Sequence, residues 1–285
     1  MYWSMGGTCW CNDLWRASIS AQYLTQNDLF LEIHHPLFDA ILLKQGAQLI
    51  HFQPKGGEPF FWSAKRSTFQ KGKAFRGGIP LCWPWFGKMG TPSHGFARIV
   101  EWEMAQYSEN EEGVQLIFEL HDDAFTRSLW PYAFRARLEM HLNRAVELCL
   151  HVNAEKASTA ALHTYLTCQN IHDVTVMGLG SAYNDALQGG MACETKEPVL
   201  HVNHSIDRIY TMSEATTLLR EKDRTLSITH KNHSDVVVWN PWREGESSFA
   251  DMNENDYTQM LCIESARISK SLACEDRLHV KIASL

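Results

Sequence analysis

The stretch FRARLEMHLNRAVELCLHV, residues 134 to 152, carries the clearest fold signal in the chain. Apolar and polar residues alternate over positions 134 to 138 and again over 146 to 152, and a polar Asn143-Arg144 pair separates the two runs. Alternation with period two is typical of a strand with one buried face, because successive side chains of a strand point to opposite faces. The stretch therefore predicts a β-hairpin with a polar outer face.

Many other short apolar or alternating runs lie on either side of this hairpin, separated by Gly, Pro, Asn and Asp. They cover residues 30–33, 40–43, 48–52, 113–120, 174–177, 198–202, 206–210, 216–219, 225–230, 236–240, 259–264 and 277–282. Helical spacing is nearly absent, and only residues 18–24 have a pattern that fits a short helix. So many turn-separated strands predict an all-β fold, a large antiparallel β-sandwich or barrel.

Length and composition indicate one globular unit. The chain has 285 residues, of which 45% are hydrophobic and 21% charged. Length alone suggests about two domains, but large β-sandwiches reach this size as one domain, and we find no internal repeat or linker. We predict a single domain over residues 1–285, with residues 1–29 as a candidate N-terminal extension packed on it. That segment contains Trp3, Trp10 and Trp15.

The charge balance and the cysteine pattern limit the classes of partner. A net charge of -7 argues against nucleic-acid or anionic-membrane binding, although it leaves room for a small basic pocket. The eight cysteines show no C-x-x-C pair, which favours reduced thiols. There is no secretory signal pattern and no apolar run near the roughly 20 residues that cross a bilayer. We predict a cytoplasmic protein that is a monomer or weak homo-oligomer.

Two neighbouring loops hold candidate ligand-binding residues. RGGIPLCWPWFG, residues 76–87, combines a glycine pair that permits close backbone approach with rings that could wall a concave site. It is followed by SHGFAR, residues 93–98. Arg76 and Arg98 present planar donor forks that match phosphate oxygens, and His94 lies between them in sequence. From the residues alone, two unrelated surface arginines and a structural histidine are the simpler explanation of these loops.

Two mostly apolar, strand-like runs each contain one ionisable residue. In the run 161–166, alternation places His163 on the face opposite Leu162, and in the run 260–265 Glu264 is expensive to bury unless it is paired or functional. An apolar setting would also raise the pKa of Glu264 toward that of a general base. A half-buried structural histidine and a solvated strand-end carboxylate remain the alternatives.

The sequence gives little support to a metal site or a nucleotide cofactor. His201 and His204 lie near Asp207, but these three residues do not form a recognised ligand spacing. There is no Walker loop, dinucleotide fingerprint or Gly-x-Ser-x-Gly elbow. We expect neither metal nor cofactor.

A set of ordered motifs resembles a known family. The motifs are RGGIP from Arg76 with its WPWFG continuation, HGFAR from His94, LHTY from Leu162, DRIY from Asp207, VWNP from Val238 and CIE from Cys262. Together they resemble the D-hexose-6-phosphate mutarotases, also called glucose-6-phosphate 1-epimerases, a branch of the aldose 1-epimerase superfamily. The resemblance runs from about residue 30 to near the C-terminus, and it implies the galactose mutarotase-like supersandwich.

The resemblance also implies residue roles. His163 corresponds to the general acid and Glu264 to the general base. Arg76 and Arg98 resemble residues that contact phosphate and sugar, His94 lies in the same site, and Asp207 resembles a residue that binds sugar hydroxyls. Some members have Gln before the His-Gly motif, where this chain has Ser93, whose shorter side chain would not make the sugar contact of that Gln. Lys55 and Lys88 are further phosphate candidates.

The expected activity is cofactor-independent interconversion of the α and β anomers of a hexose 6-phosphate. A mutarotase of neutral aldoses is the first alternative, and the paired arginines argue against it because a neutral sugar does not need them. A carbohydrate-binding module without catalysis is the second alternative. The presence of both His163 and Glu264 argues against that one.

Overall fold

A computed structural model describes residues 21 to 285. The three N-terminal tryptophans, Trp3, Trp10 and Trp15, lie outside the described residues. So does the first part of the helix predicted over residues 18–24. The part that is described is not helical, because Ala21 to Tyr23 have no helical conformation and Leu24 begins a strand. For these residues the helix prediction is wrong.

The described chain is built almost entirely from short strands, with two short α-helices. The strands are β1 Leu24–Gln26, β2 Phe30–His35, β3 Phe38–Leu43, β4 Gln48–Pro54, β5 Leu81–Cys82, β6 Glu103–Asn110, β7 Gly113–His121, β8 Phe134–Leu142, β9 Ala145–Ala154, β10 Ser158–Leu162, β11 Tyr165–Thr167, β12 Thr175–Met177, β13 Ala182–Asp185, β14 Met191–Glu194, β15 Val199–His201, β16 Ile206–Tyr210, β17 Thr216–Arg220, β18 Thr225–Lys231, β19 Asp235–Asn240, β20 Met260–Leu272 and β21 Asp276–Ser284. The helices are α1 Ala124–Leu129 and α2 Trp242–Glu246. Neither helix is long or apolar enough to cross a membrane.

The strands form three antiparallel sheets. A four-stranded sheet has the order β1-β2-β3-β4, and a nine-stranded sheet has the order β15-β12-β17-β18-β21-β9-β8-β7-β6. An eight-stranded sheet has the order β14-β13-β16-β19-β20-β10-β5, with β11 also paired to β20. The predicted all-β antiparallel sandwich is therefore confirmed.

The hairpin predicted from residues 134–152 is β8 and β9, in the middle of the nine-stranded sheet. The two strands pair from Phe134 opposite Ala154 to Leu142 opposite Val146, so the turn falls at Asn143-Arg144 as expected. The apolar side chains of both strands are buried and the intervening ones are more exposed. Their buried face packs into one core cluster that draws residues from all three sheets. The one-domain organisation over residues 1–285 stays a prediction.

A second, smaller apolar cluster lies on the other face of the eight-stranded sheet. Its buried members are Trp62, Ala64, Tyr165, Met252, Met260 and Cys262, with Trp239 and Phe249 packed against them. Strand β20 shows why both faces are buried: Leu261 and Ile263 belong to the main core, whereas Cys262, between them, belongs to the smaller cluster. This sheet consequently has a covered outer face on which polar groups can be placed away from bulk water.

Glycines allow close backbone contacts in the loops of residues 76–98. The amide of Gly78 donates to the Trp62 carbonyl, and the Gly78 carbonyl accepts from the amide of Tyr165. Gly78 has a φ of +60°, and a Cβ there would lie 2.1 Å from the Leu49 carbonyl oxygen. At Gly95 the φ is +73°, and a Cβ would lie 2.0 Å from the Trp83 carbonyl oxygen. The two motifs need glycine because the backbones touch.

We expect Gly95→Ala to lower the free energy of unfolding by about 3 kcal/mol, toward the upper end for single substitutions. The reason is the combination of a positive φ with a backbone clash. Gly87→Ala is the matched control: its φ is +62°, but no atom lies within 4 Å of the added Cβ. The control should cost only about 1 kcal/mol. Urea denaturation measures both, and equal losses would contradict the steric argument.

Candidate active site

Glu264 lies in β20, the strand that pairs with β19 on one side and with β10 and β11 on the other. In the register Glu264 is opposite Val237 of β19. Because Ile263 points into the main core, the alternation of the strand turns Glu264 to the outer face. The side chain is only 1% exposed, so the sheet holds this carboxyl group in an almost dry setting.

His163 lies in a break between two strands that pair with the same partner. β10 ends at Leu162 and β11 begins at Tyr165, so the run that the sequence suggested as one strand is interrupted at His163-Thr164. The break is held by its backbone: the His163 amide donates to the Pro80 carbonyl, and the Thr164 carbonyl accepts from Ile263. Leu162 belongs to the main core, whereas the ring of His163 meets Glu264.

His163 and Glu264 form a buried acid and base pair. Nε2 of His163 lies 3.3 Å from Oε1 of Glu264, and the remaining polar atoms, Nδ1 and Oε2, are buried without a hydrogen-bond partner among the described residues. Burial first, and then the proximity of His94, Arg98 and Arg76, lowers the pKa of His163 well below its usual value. Burial and the charge of Asp207 raise the pKa of Glu264, and Arg98 partly opposes that rise.

His94 stands beside this pair as a neutral hydrogen-bond donor. Its ring centroid is 5.9 Å from that of His163, and Nδ1 accepts the amide of Gly87 at 3.3 Å. Burial, with the charge of Arg98, lowers the pKa of His94 to about 4. A neutral ring whose Nδ1 accepts a hydrogen bond carries its proton on Nε2. This assignment gives the site a second imidazole, with its N–H as donor.

The two arginines differ in their charge partners. Nε of Arg76 donates to both carboxylate oxygens of Asp251 at 2.9 Å, and Nη1 donates to the Tyr165 hydroxyl at 3.2 Å. The guanidinium also lies over the Phe249 ring, 4.3 Å from its centroid. Nη2 of Arg98 donates to the Ser93 carbonyl at 2.8 Å, while its Nε is buried without a partner. Within residues 21–285, no carboxylate forms a salt bridge with Arg98.

Asp207 lies on the same face of the sheet, two strands away from Glu264. It pairs with Trp239 of β19, which in turn pairs with Cys262 of β20. Burial, then the charge of Asp185, raises the pKa of Asp207 to about 6. A half-buried carboxyl group of this kind accepts hydrogen bonds from hydroxyl groups and still ionises near neutral pH. The structure thus brings all six candidate residues of the sequence to one site.

The other candidates of the sequence lie differently. The Ser93 hydroxyl donates to the Gly87 carbonyl, Lys55 forms an ion pair with Asp39 on the four-stranded sheet, and Lys88 is exposed. His201 and His204 line a groove beside Arg208, and Asp207 is not part of that groove. Throughout the described part of the chain, no three His, Cys, Asp or Glu side chains are grouped as metal ligands.

Three side chains of the site were not assigned a role from the sequence. Tyr165 and Trp239 lie within the LHTY and VWNP motifs, so motif order did mark their positions. Asp251, which holds Arg76, comes from the irregular segment after α2 and gives no pattern in the sequence. Only the fold brings it next to a residue 175 positions away.

Comparison with known proteins identifies the family of this chain. The profile of the aldose 1-epimerase family matches residues 30–276. The chain belongs to this family. Every one of the six candidate residues lies within the matched range. Membership in the aldose 1-epimerase family confirms the superfamily suggested by the ordered motifs.

Individual relatives are more specific than the family profile. A Salmonella typhimurium protein named as a candidate glucose-6-phosphate 1-epimerase is 34% identical over 87% of this chain and 85% of its own length. A protein from Escherichia coli K12 with the same name is 32% identical over 89% of this chain and 87% of its own length. The crystal structure of a candidate mutarotase from Salmonella typhimurium superposes with a TM-score of 0.89 and 31% identity, covering 93% of this chain and 94% of the other. The mutarotase fold is thereby confirmed.

The protonation of His94 can be measured directly. We expect the Nε2–H tautomer, uncharged from neutral pH down to about pH 5, because burial and Arg98 disfavour the imidazolium. Long-range ¹H–¹⁵N spectra of protein with labelled histidine would report it, with the His94→Gln variant to assign the signal. A midpoint near the ordinary value of 6.5 would contradict the expected electrostatics.

Proposed function

We propose that this protein interconverts the α and β anomers of a hexose 6-phosphate, with glucose 6-phosphate as the first substrate to test. One observation carries the proposal: an imidazole and a carboxyl group meet at 3.3 Å in a buried site beside an arginine without a carboxylate partner among the described residues. The names of the two relatives support the same substrate. The reaction requires no cofactor, since neither oxidation state nor carbon skeleton changes.

Ring opening needs one proton removed and one proton added. The base takes the proton of the C1 hydroxyl while the acid protonates the ring oxygen, and both oxygens are bonded to the same carbon. An acid and a base only 3.3 Å apart therefore suit this reaction, because the two groups can reach neighbouring oxygens together. Glu264 acts as the base and His163 as the acid. After rotation about the C1–C2 bond, the ring closes on the other face: Glu264 returns its proton to the C1 oxygen, and His163 takes back the proton from the hydroxyl that becomes the ring oxygen.

The buried pair already holds the number of protons that this chemistry needs. A neutral imidazole with a protonated carboxyl group contains as many protons as an imidazolium with a carboxylate. Burial lowers the pKa of His163 and raises that of Glu264, and so favours the first form for both residues. The transfer of that one proton from Oε1 to Nε2 produces the active form. Arg98 favours the carboxylate that this step forms and disfavours the imidazolium.

The arginines supply the contacts for a phosphate group. Arg98 carries the uncompensated charge, since it donates only to a backbone carbonyl among the described residues. Arg76 donates its Nε–H to Asp251, and N–H groups of its Nη atoms can be directed to an anion. A phosphate that meets two forks gains both charge and geometric recognition. A neutral aldose would leave the charge of Arg98 unused, which favours the phosphorylated substrate. The cytoplasmic location and the weak or absent oligomerisation remain predictions.

Removal of the acid or the base should nearly abolish catalysis. We expect Glu264→Gln and His163→Gln each to lower kcat for glucose 6-phosphate by roughly 10²–10⁴-fold, the usual contribution of one acid–base group. The measurement is saturation transfer between the α and β C1 protons at equilibrium, at neutral pH.

The matched control is Glu147→Gln, which breaks another histidine–carboxylate pair. That pair, Glu147 with His279 at 2.6 Å, lies on the nine-stranded sheet. The control should exchange anomers at the rate of the unaltered protein. Near-full activity of Glu264→Gln or His163→Gln would reject the corresponding role. If the unaltered protein accelerates no hexose 6-phosphate, the sugar-binding module becomes the better account.

Substitution of Arg98 tests the phosphate specificity. We expect Arg98→Ala to raise KM for glucose 6-phosphate about tenfold or more, as the loss of a hydrogen bond between charged groups predicts. The KM for glucose, if glucose is turned over, should change far less. Arg144→Ala, at the exposed hairpin turn, is the control and should leave both values unchanged. Equal effects on both sugars would favour a mutarotase of neutral aldoses.

A further inference from the structure

Tyr165 contacts both the acid and one arginine of the site, although neither the sequence nor the proposed chemistry gives it a role. It follows His163 by two residues, so an extended backbone turns both rings to the same face. The two rings stack with centroids 4.8 Å apart and an interplanar angle of 17°. The Tyr165 hydroxyl accepts a hydrogen bond from Nη1 of Arg76 at 3.2 Å.

The ring of Tyr165 is held by neighbours on the covered face of the sheet. Trp62 stacks on it at 5.9 Å and 28°, and Trp239 meets it nearly edge-on at 6.2 Å and 78°. The tyrosine is only 4% exposed, and its backbone is bonded at both groups, to Gly78 and to Trp62. A ring packed in this way keeps one orientation, and it restricts the orientation of the His163 imidazole that stacks on it.

Arg76 is fixed from the opposite side by the segment that follows α2. Asp251 accepts a hydrogen bond from Nε, Phe249 lies under the guanidinium, and the Tyr165 hydroxyl accepts from Nη1. Burial keeps the Tyr165 hydroxyl uncharged by raising its pKa, and a neutral hydroxyl can accept from a guanidinium without competing for its charge. The position of Arg76 therefore depends on three side chains, of which only Tyr165 also contacts the acid.

We infer that Tyr165 is a positioning residue, which holds the imidazole of His163 and the guanidinium of Arg76 at a fixed distance from each other. The inference rests on the proposed function. A hexose 6-phosphate is bound at its phosphate and reacts at C1. The rate therefore depends on the distance between the guanidinium that binds the phosphate and the imidazole that acts at C1. The aromatic ring orients the imidazole of His163, and the hydroxyl orients the guanidinium of Arg76, which binds the phosphate.

The two halves of the side chain can be separated by substitution. Tyr165→Phe keeps the stacked ring and removes only the hydroxyl. We expect its affinity for inorganic phosphate, measured by titration calorimetry, to fall about tenfold, and KM for glucose 6-phosphate to rise similarly. The fall in kcat should be smaller than either change.

Tyr165→Leu removes the stacked ring as well. We expect kcat for glucose 6-phosphate to fall roughly 10–100-fold, because a displaced acid loses near-attack geometry. The kcat of Tyr165→Phe should stay much closer to that of the unaltered protein, because this variant keeps the stacked ring. The control is Tyr210→Phe, another buried tyrosine beside an arginine, in the main core. It should change neither phosphate affinity nor kcat.

Several results would overturn the inference. Phosphate affinity and KM within about twofold of the unaltered protein in Tyr165→Phe would reject the role of the hydroxyl. An unchanged kcat in a folded Tyr165→Leu protein would reject the role of the ring. If Tyr165→Leu does not fold, Tyr165→Phe decides, because it keeps the apolar packing. Absence of anomer exchange in the unaltered protein would refute the proposed function instead, while phosphate affinity would still report on Tyr165.

Discussion

The burial of the Glu264 carboxyl group is the constraint around which the site is arranged. A carboxylate that is 1% exposed has lost nearly all its water, and such a loss is expensive unless the group is protonated or paired. His163 is the group that can pair with it, with Nε2 at 3.3 Å from Oε1. A low dielectric also strengthens the interaction of Glu264 with nearby charges. Asp207 raises the pKa of this carboxyl group and Arg98 lowers it, because the two charges have opposite signs.

The position of that pair depends on an interruption in the eight-stranded sheet. Were β10 and β11 one regular strand, the residues between them would be fixed by regular ladder bonds to β20. Instead His163 donates its amide to Pro80, outside the sheet, and Thr164 alone continues the pairing through Ile263. The RGGIP loop supplies that carbonyl, and its Gly78 lies so close to Leu49 of β4 that only glycine fits there. Fold and site thus share the same backbone contacts.

The sequence predicted most of the paired strands because burial on one face leaves a period-two pattern. It missed the strands that are short or mostly exposed, namely β1, β5, β6, β13 and β14. It also missed the helices α1 and α2, which are too brief for a helical period. His163 and Glu264 were already candidates as ionisable residues in apolar runs, and the order of the motifs gave all six site residues their expected roles. Asp251 could not be found in this way, since its segment has no regular structure and its partner is distant in the chain. Such contacts exist only after folding.

The second apolar cluster explains why so much aromatic surface is placed outside the main core. A single sheet face covered only by loops would let water reach Glu264, and its pKa would then stay near the ordinary value. Trp62, Tyr165 and Trp239 exclude that water from one side, and the loop that carries His94 excludes it from the other. Since the cluster also holds the ring of Tyr165 against the imidazole, the residues that keep the site dry are the same ones that orient it. Desolvation and positioning are therefore consequences of one packing arrangement.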